Sequence, residues 1–273
     1  MLATASAVIF NYVDTNVERR PGQYFVFYSQ ESPIHMSINS KSDFFNMSFG
    51  FRMDTPGASP YGFAALLAPE SKPNKNKLNK QINELIAKKR KDKYINVDIY
   101  GSCGTLQCSK GVGLKCVQML DTDYWFYFAA ENSICKDYLT EKIWDQGLST
   151  FSVPIVLKRS LVQHLLPPFS FIAVDDYKSI QEFTHHLKTL INTPQEYMKY
   201  LLWRYDYVSI KLNGDTDPRA EKLFGVCQIC KLTQMHPRPI ITLPAPVNEW
   251  LKINLNINFK FKFIGGIIND EEN

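Results

Sequence analysis

Apolar residues fall along this chain in short runs, each closed by a polar or glycine-rich break. Ala7-Val8-Ile9-Phe10 predicts a short buried strand. A turn at Arg20-Pro21-Gly22 leads to a second strand over 23–29, which stops at Gln30-Glu31-Ser32-Pro33. That places a polar group at the carboxyl end of an apolar strand, where open α/β sheets bind ligands. Residues 45–54 alternate less cleanly. Residues 81–91 read as a polar helix and 95–101 as a strand. Residues 125–130 are six consecutive apolar positions, the pattern of a strand buried on both faces. Glu131-Asn132-Ser133 breaks that run, and from Asp137 the spacing turns helical, with Asp137 or Ser133 able to cap the first turn. Leu139, Ile143 and Gly147 share one side of this helix, and Tyr138, Glu141, Lys142 and Asp145 share another. Residues 153–157 predict a further buried strand, and 181–190 and 194–203 amphipathic helices.

At 273 residues, 45% of them apolar and 13% aromatic, the chain can build two cores of moderate size and is not a disordered sequence. The net charge of +4 is mild. Its basic run, Lys88-Lys89-Arg90-Lys91, lacks interleaved aromatics and reads as a solvated helix end, not a nucleic-acid site. No run approaches the ~20 apolar residues of a membrane span. The apolar stretch 2–10 has no basic flank and is not a convincing signal peptide, so a targeting segment for a luminal enzyme is expected upstream of Met1.

Six cysteines stand at 103, 108, 116, 135, 227 and 230. Cys227-x-x-Cys230 is half of a zinc site, but a second such pair is absent, and disulfides in a secretory lumen fit the count better. Asn46-Met47-Ser48 is a glycosylation sequon that agrees with that compartment. A carboxylate–ammonium stripe such as Glu141–Lys142 is ordinarily a solvated helix face, and Glu31 could as well be a capping carboxylate.

The central stretch changes that balance. Phe126-Tyr127-Phe128-Ala129-Ala130-Glu131-Asn132-Ser133 followed by Asp137-Tyr138-Leu139-Thr140-Glu141-Lys142 resembles the signature of the α1,3-fucosyltransferases, glycosyltransferase family 10, with Ala130 where an aromatic is usual. Strand-Glu31-Ser32-Pro33, the Phe45-Asn46-Met47-Ser48 strand with Arg52 and Asp54, Pro60-Tyr61-Gly62, Tyr100-Gly101-Ser102-Cys103-Gly104 and Cys227-x-x-Cys230 are similar to other family elements. The likeness runs over about 5–236 with a gap near 64–80. There the family's strand is not evident, and Leu78 takes the place of an arginine that contacts the donor diphosphate. Lys77 and Lys80 are the nearby cations. Ser133-Ile134-Cys135 and the 157–160 run, in which Lys158 replaces a common glycine, look most like invertebrate, nematode-like members.

The resemblance implies an α/β fold of the GT-B type, two Rossmann-like domains facing a cleft, the first incomplete. Residues 1–97 would be the partial acceptor-side domain, 98–236 the GDP-fucose-binding domain and 237–273 a divergent tail. It implies an inverting transfer of fucose from GDP-fucose to GlcNAc of an N-glycan, the core rather than an antenna, on the luminal side of the Golgi. Glu31 would be the general base. Lys142 would neutralise the departing diphosphate, Glu141 would meet the ribose, and Asn132 and Tyr138 would line the donor pocket. No metal or other cofactor is implied. Arg52 and Asp54 are expected as a structural ion pair, with contact to the acceptor sugar as the alternative. Two alternatives stay open: a catalytically inactive relative that binds nucleotide or glycan, and a metal–nucleotide D-x-D element at 121–123 or 215–217.

Overall fold

The computed structural model describes residues 4–11, 17–32, 40–89, 97–100, 104–108, 113–212 and 223–252. In chain order the elements are β1 (Ala7–Phe10), β2 (Tyr24–Ser29), β3 (Met47–Gly50), β4 (Gly62–Leu66), α1 (Lys75–Lys88), α2 (Gly113–Thr122), β5 (Phe126–Phe128) and a π-helix at Lys142–Gly147. Then come β6 (Val153–Val156), β7 (Ile172–Ala173), α3 (Ile180–Asn192), α4 (Pro194–Lys199), β8 (Tyr207–Lys211), α5 (Val226–Gln234) and α6 (Val247–Lys252). They form two compact units. Unit 1 comprises Met1–Phe63, Glu131–Thr140 and Ile210–Ile257; unit 2 comprises Ala64–Ala130, Glu141–Ser209 and Asn258–Asn273. The strands β4 and β8 pair with each other, and each contains a point where the chain passes from one unit to the other.

Unit 1 is built on a parallel sheet in the order β1-β2-β3. The central strand is buried from Tyr24 to Phe27, as its unbroken apolar run requires. Phe25 and Phe27 face a cluster with Phe10, Phe45, Trp250 and Leu251, while Tyr24 and Val26 join Met47 and Ile229 of α5. Gly50 ends β3 because a Cβ there would run into the Ser29 carbonyl oxygen. Residues 238–252, expected as part of a divergent tail, belong to this core. The Tyr24 hydroxyl donates to the Pro239 carbonyl at 2.6 Å, and Trp250 is fully buried.

Asn46 is a clasp. Its Oδ1 accepts from the Phe25 amide (2.7 Å) and from Arg19 (2.9 Å), and its Nδ2 donates to the Ile241 carbonyl (2.9 Å). Ser48, the third sequon residue, is buried within β3. The amide that would carry a glycan holds β2, β3 and the C-terminal segment together.

Unit 2 carries a second parallel sheet, β5-β6-β7. All four residues of β6 are buried. The core adds Leu78, Ile82 and Ile86 from α1 and Phe183, Leu187 and Leu190 from α3, at the helical spacing that puts each set on one face. The Asn74 side chain caps α1 by accepting from the Lys77 amide. The run expected as a strand buried on both faces is shorter, Phe126–Phe128, and partly exposed; the Ala129 amide still donates to the Ile155 carbonyl of β6 at 2.9 Å, and the chain passes to unit 1 at Glu131. Of the strand expected over 95–101, residues 95, 96 and 101 lie outside the described residues, and Tyr100 makes an isolated parallel bridge to Leu106.

One charged residue read as surface is not. Lys89, inside the basic run, is 3% exposed, and its ammonium donates to the carbonyls of Asp121 (2.9 Å) and Tyr124 (2.6 Å). Burial pushes it down to about 7, outweighing the pull of Asp121 and Asp123 in the opposite direction. An unfolded lysine titrates near 10.4, so between about pH 7 and 10 the unfolded chain holds a proton that the folded chain has released. Stability contributed by this site therefore rises with pH across that window, by up to about 1 kcal/mol per pH unit. The difference in unfolding free energy between wild type and Lys89→Met should show that rise; a pH-independent difference would refute it. His186 on α3 is half-buried, lies 3.2 Å from the Tyr200 hydroxyl and rests against the Tyr177 ring.

Cys108 is in a disulfide, whereas Cys135 is a buried thiol and Cys227 and Cys230 are exposed thiols on α5. Among the described residues no group of three or more His, Cys, Asp or Glu could hold a metal ion, and no helix is long and apolar enough to cross a membrane. Of the two D-x-D strings, Asp121 accepts from the Phe151 amide (2.6 Å) and Asp123 from the Thr122 hydroxyl (2.8 Å); residues 215–217 lie outside the described residues.

Candidate active site

The polar exit of β2 and the loop that follows β5 meet inside unit 1. After β2 the backbone is tethered at each residue. Gln30 receives the Tyr61 hydroxyl on its carbonyl (3.1 Å) and donates its Nε2 to the Ser59 carbonyl (2.9 Å). The Glu31 amide donates to Ser29 Oγ at 3.0 Å. The Ser32 hydroxyl, fully buried, lies 2.6 Å from that of Ser133. Glu31 itself is exposed, so the apolar setting expected of a base is not what surrounds it here.

The facing loop, 131–140, is closed on itself. Both carboxylate oxygens of Glu131 accept from Thr140, one from its amide (2.7 Å) and one from its hydroxyl (2.8 Å). Asp137 has a left-handed backbone (φ 65°), and its Oδ2 accepts from the Met53 amide at 2.9 Å. No helix starts there. The helix expected from Asp137 begins instead about Glu141 and runs as a π-turn over Lys142–Gly147, closed by the Leu148 amide on the Ile143 carbonyl at 2.7 Å. Neither Asp137 nor Ser133 caps it, and Tyr138 does not share a helix face with Glu141 and Lys142. The reason is tertiary: residues 131–140 pack into unit 1, so the apolar spacing of Leu139, Ile143 and Gly147 serves two surroundings.

Three of the five residues expected to carry chemistry are thereby brought together. Tyr138 is 3% exposed, with its ring 4.8 Å from that of Phe51. Burial, with Glu31, Tyr61 and Glu131 acting in the same direction, holds its phenol protonated well above the ordinary range, and a side-chain hydrogen bond from Asn132 opposes them. Glu31, Asn132 and Tyr138 are thus one electrostatic cluster, with a phenol that can only donate or share its proton. Tyr61, Ser32, Ser133 and Glu131 complete it. The first was visible in Pro60-Tyr61-Gly62 without a role, and the two serines follow directly on the residues singled out.

Glu141 and Lys142 lie in unit 2 at the start of the π-helix, where Lys142 Nζ is 3.6 Å from Glu141 Oε1. π-turns concentrate at functional sites because they widen the helix and re-aim its side chains. This one seats closely: a Cβ on Gly147 would stand 3.1 Å from Pro154 of β6 and 3.2 Å from Ile143.

Arg52 is fixed by structure alone. Its guanidinium is 2% exposed and forks onto Asp54 (2.9 and 2.6 Å), donates to the Trp250 carbonyl (2.8 Å) and lies 4.5 Å over the Trp250 ring. Lys136 reaches the same carboxylate at 3.1 Å. Burial tends to raise the Asp54 carboxyl, but Arg52 and Lys136 together hold it below its ordinary value. At the position where an arginine was expected, Leu78 is 8% exposed within the unit 2 core. A strand does precede it, β4, paired with β8, while Lys77 and Lys80 are exposed.

Residues 1–62 match the fucosyltransferase N-terminal family, and residues 72–249 match the glycosyltransferase family 10 (fucosyltransferase) C-terminal family. Alpha-(1,3)-fucosyltransferase fut-1 of Caenorhabditis elegans is 40% identical over 88% of this chain and 60% of its own length. Alpha-(1,3)-fucosyltransferase fut-5 of the same organism is 30% identical over 92% of this chain and 71% of its own. The human 4-galactosyl-N-acetylglucosaminide 3-alpha-L-fucosyltransferase FUT6 is 32% identical over 68% and 55%. The chain thus spans between about half and seven tenths of the length of these relatives. With both family matches in chain order and the signature residues gathered around Glu31 and Tyr138, the chain belongs to the family 10 fucosyltransferases.

Proposed function

We propose that the chain is an inverting α1,3-fucosyltransferase that takes L-fucose from GDP-fucose and places it on GlcNAc of an N-glycan, at the core rather than an antenna. The observation that carries this reading is the gathering of Glu31, Asn132 and Tyr138 into one cluster at the exit of β2. Glu31 removes the proton of the acceptor hydroxyl as that oxygen attacks the anomeric carbon in line with the departing GDP. Lys142, at the head of the π-helix, offsets charge gathering on the diphosphate, and Glu141 accepts from the ribose hydroxyls. Asn132 and the protonated Tyr138 hydroxyl donate to donor oxygens. In this reading acceptor groups come from the N-terminal part, 1–97, and donor groups mainly from 98–236, with Lys142 in place of a metal ion. The compartment is the Golgi lumen, which the disulfide at Cys108 supports.

A second reading, a relative that binds without turnover, rests on Leu78. A buried leucine cannot supply the donor diphosphate with the cation expected at that position, which leaves only the exposed ammonium groups of Lys77 and Lys80 beside it on α1. Calorimetric titration with GDP-fucose, with and without chelator, separates the two together with a transfer assay. Wild type is expected to bind irrespective of chelator, and Lys142→Ala to bind about ten- to a hundredfold more weakly, as fits the loss of a charge-assisted contact. A folded wild-type sample that takes up no GDP-fucose would sink the donor assignment. Binding without transfer would establish the second reading.

A further inference from the structure

The buried hydroxyl pair Ser32–Ser133 has no part in the chemistry above, yet it joins the two loops that deliver it. The residues on either side point outward: Glu31 and Asn132 are both exposed, whereas Ser32 is 0% and Ser133 5% exposed. Their oxygens are 2.6 Å apart across 101 residues of sequence. Each side of this contact is also held on its own account: Ser29 ties the Glu31 amide, Tyr61 and Ser59 tie Gln30, Glu131 ties Thr140, and the Met53 amide ties Asp137. The Ser32–Ser133 contact is a side-chain hydrogen bond that links the Glu31 turn directly to the 131–140 loop.

We propose that Ser32 and Ser133 are positioning residues that set the Glu31 carboxylate against the Asn132–Tyr138 pair. This rests on the assignment of Glu31 as base. Two facing alanines would fill the same buried space without leaving a polar group unpaired, so the pair is not needed for burial. What a short hydroxyl–hydroxyl contact adds is direction. It admits one separation and a narrow range of angles, and it fixes the residue before each serine through a single peptide unit. A base displaced by about 1 Å from its acceptor proton loses up to a hundredfold in rate.

The test separates geometry from stability. Ser133→Ala strands a buried Ser32 hydroxyl and should lower both the melting temperature and kcat. In Ser32→Ala/Ser133→Ala the stranded group is gone, so the melting temperature should return most of the way to wild type. Under the proposal kcat stays about ten- to a hundredfold down in both variants, while the GDP-fucose Kd stays within about twofold of wild type. Recovery of kcat along with the melting temperature in the double variant would overturn the proposal, as would an unchanged kcat in Ser133→Ala. Glu31→Gln in the same assay tells the two ideas apart. Retained turnover there removes the base assignment and this inference with it, whereas lost turnover with a fully active double variant removes this inference alone. A wild-type chain that transfers no fucose would overturn both.

Discussion

Glu31→Gln is expected to lower fucose transfer by about a hundredfold to ten-thousandfold, the range over which a positioned general base contributes. Glutamine keeps the length and the two-atom head of glutamate but cannot take up a proton at neutral pH. Because Glu31 is exposed and its backbone is held by Ser29, the substitution should leave the fold and its melting temperature nearly unchanged. GDP-fucose affinity should also hold, since the cluster's donors, Asn132 and Tyr138, are retained. One indirect effect is expected. Glu31 is among the groups that keep the Tyr138 phenol protonated, so its loss should let that phenol titrate somewhat lower, though still with burial dominating. Steady-state kinetics with saturating donor reads the main effect directly. A variant keeping more than about a tenth of wild-type turnover would show that another group accepts the proton.

The largest stability effect should come from Arg52→Met. Methionine matches much of the aliphatic stem but removes a guanidinium that is 2% exposed and paired on three sides, to Asp54, to the Trp250 carbonyl and to the Trp250 ring. Asp54 is 37% exposed, so the loss comes from the guanidinium's own hydrogen bonds and its stacking on Trp250 and not from a stranded buried charge, and should cost about 1–3 kcal/mol. Lys136, at 3.1 Å, keeps the carboxylate paired without replacing the contacts to Trp250. For a chain of this size the melting temperature should fall by roughly 3–10 °C. Adding Asp54→Leu should restore little of it, because that carboxylate is solvated and still paired. A single-variant shift below about 2 °C would mean that the pair contributes no more than a surface ion pair does.

Much of this arrangement was readable from residue order. The apolar run of β2 with its polar stop located Glu31, and unbroken burial of β6 follows from four apolar residues in a row. The Arg52–Asp54 pair was also legible as structural. What could not be read was where the chain changes partners. The spacing of Tyr138, Glu141 and Lys142 satisfies a helix, but Glu131 gripping Thr140 and Asp137 turning left-handed are decided by contacts to Met53 and Phe51, some eighty residues away. Lys89 hid in a run of like charges because periodicity cannot distinguish a buried ammonium from a solvated one. Residues 238–252 were set aside for their unfamiliar composition, although Trp250 closes the core beside Arg52. Asn46 shows the converse: a sequon is a string of three residues, and the string does not reveal an amide with three partners.

Unit 1 is assembled from three separated stretches of chain, and its Arg52 waits for a carbonyl 198 residues downstream. During synthesis the first sheet can pair as soon as β3 emerges, but Arg52 and Asp54 then face an unfilled hydrophobic hollow until Trp250 has left the ribosome. At about 5–20 residues per second that interval lasts roughly 10–40 seconds. Through that time Phe25, Phe27 and Phe45 lack the cover that Trp250 and Leu251 give them in the finished core. A stop before α6 would accordingly leave Phe25, Phe27 and Arg52 without Trp250, and the sheet that forms early would stay unfinished.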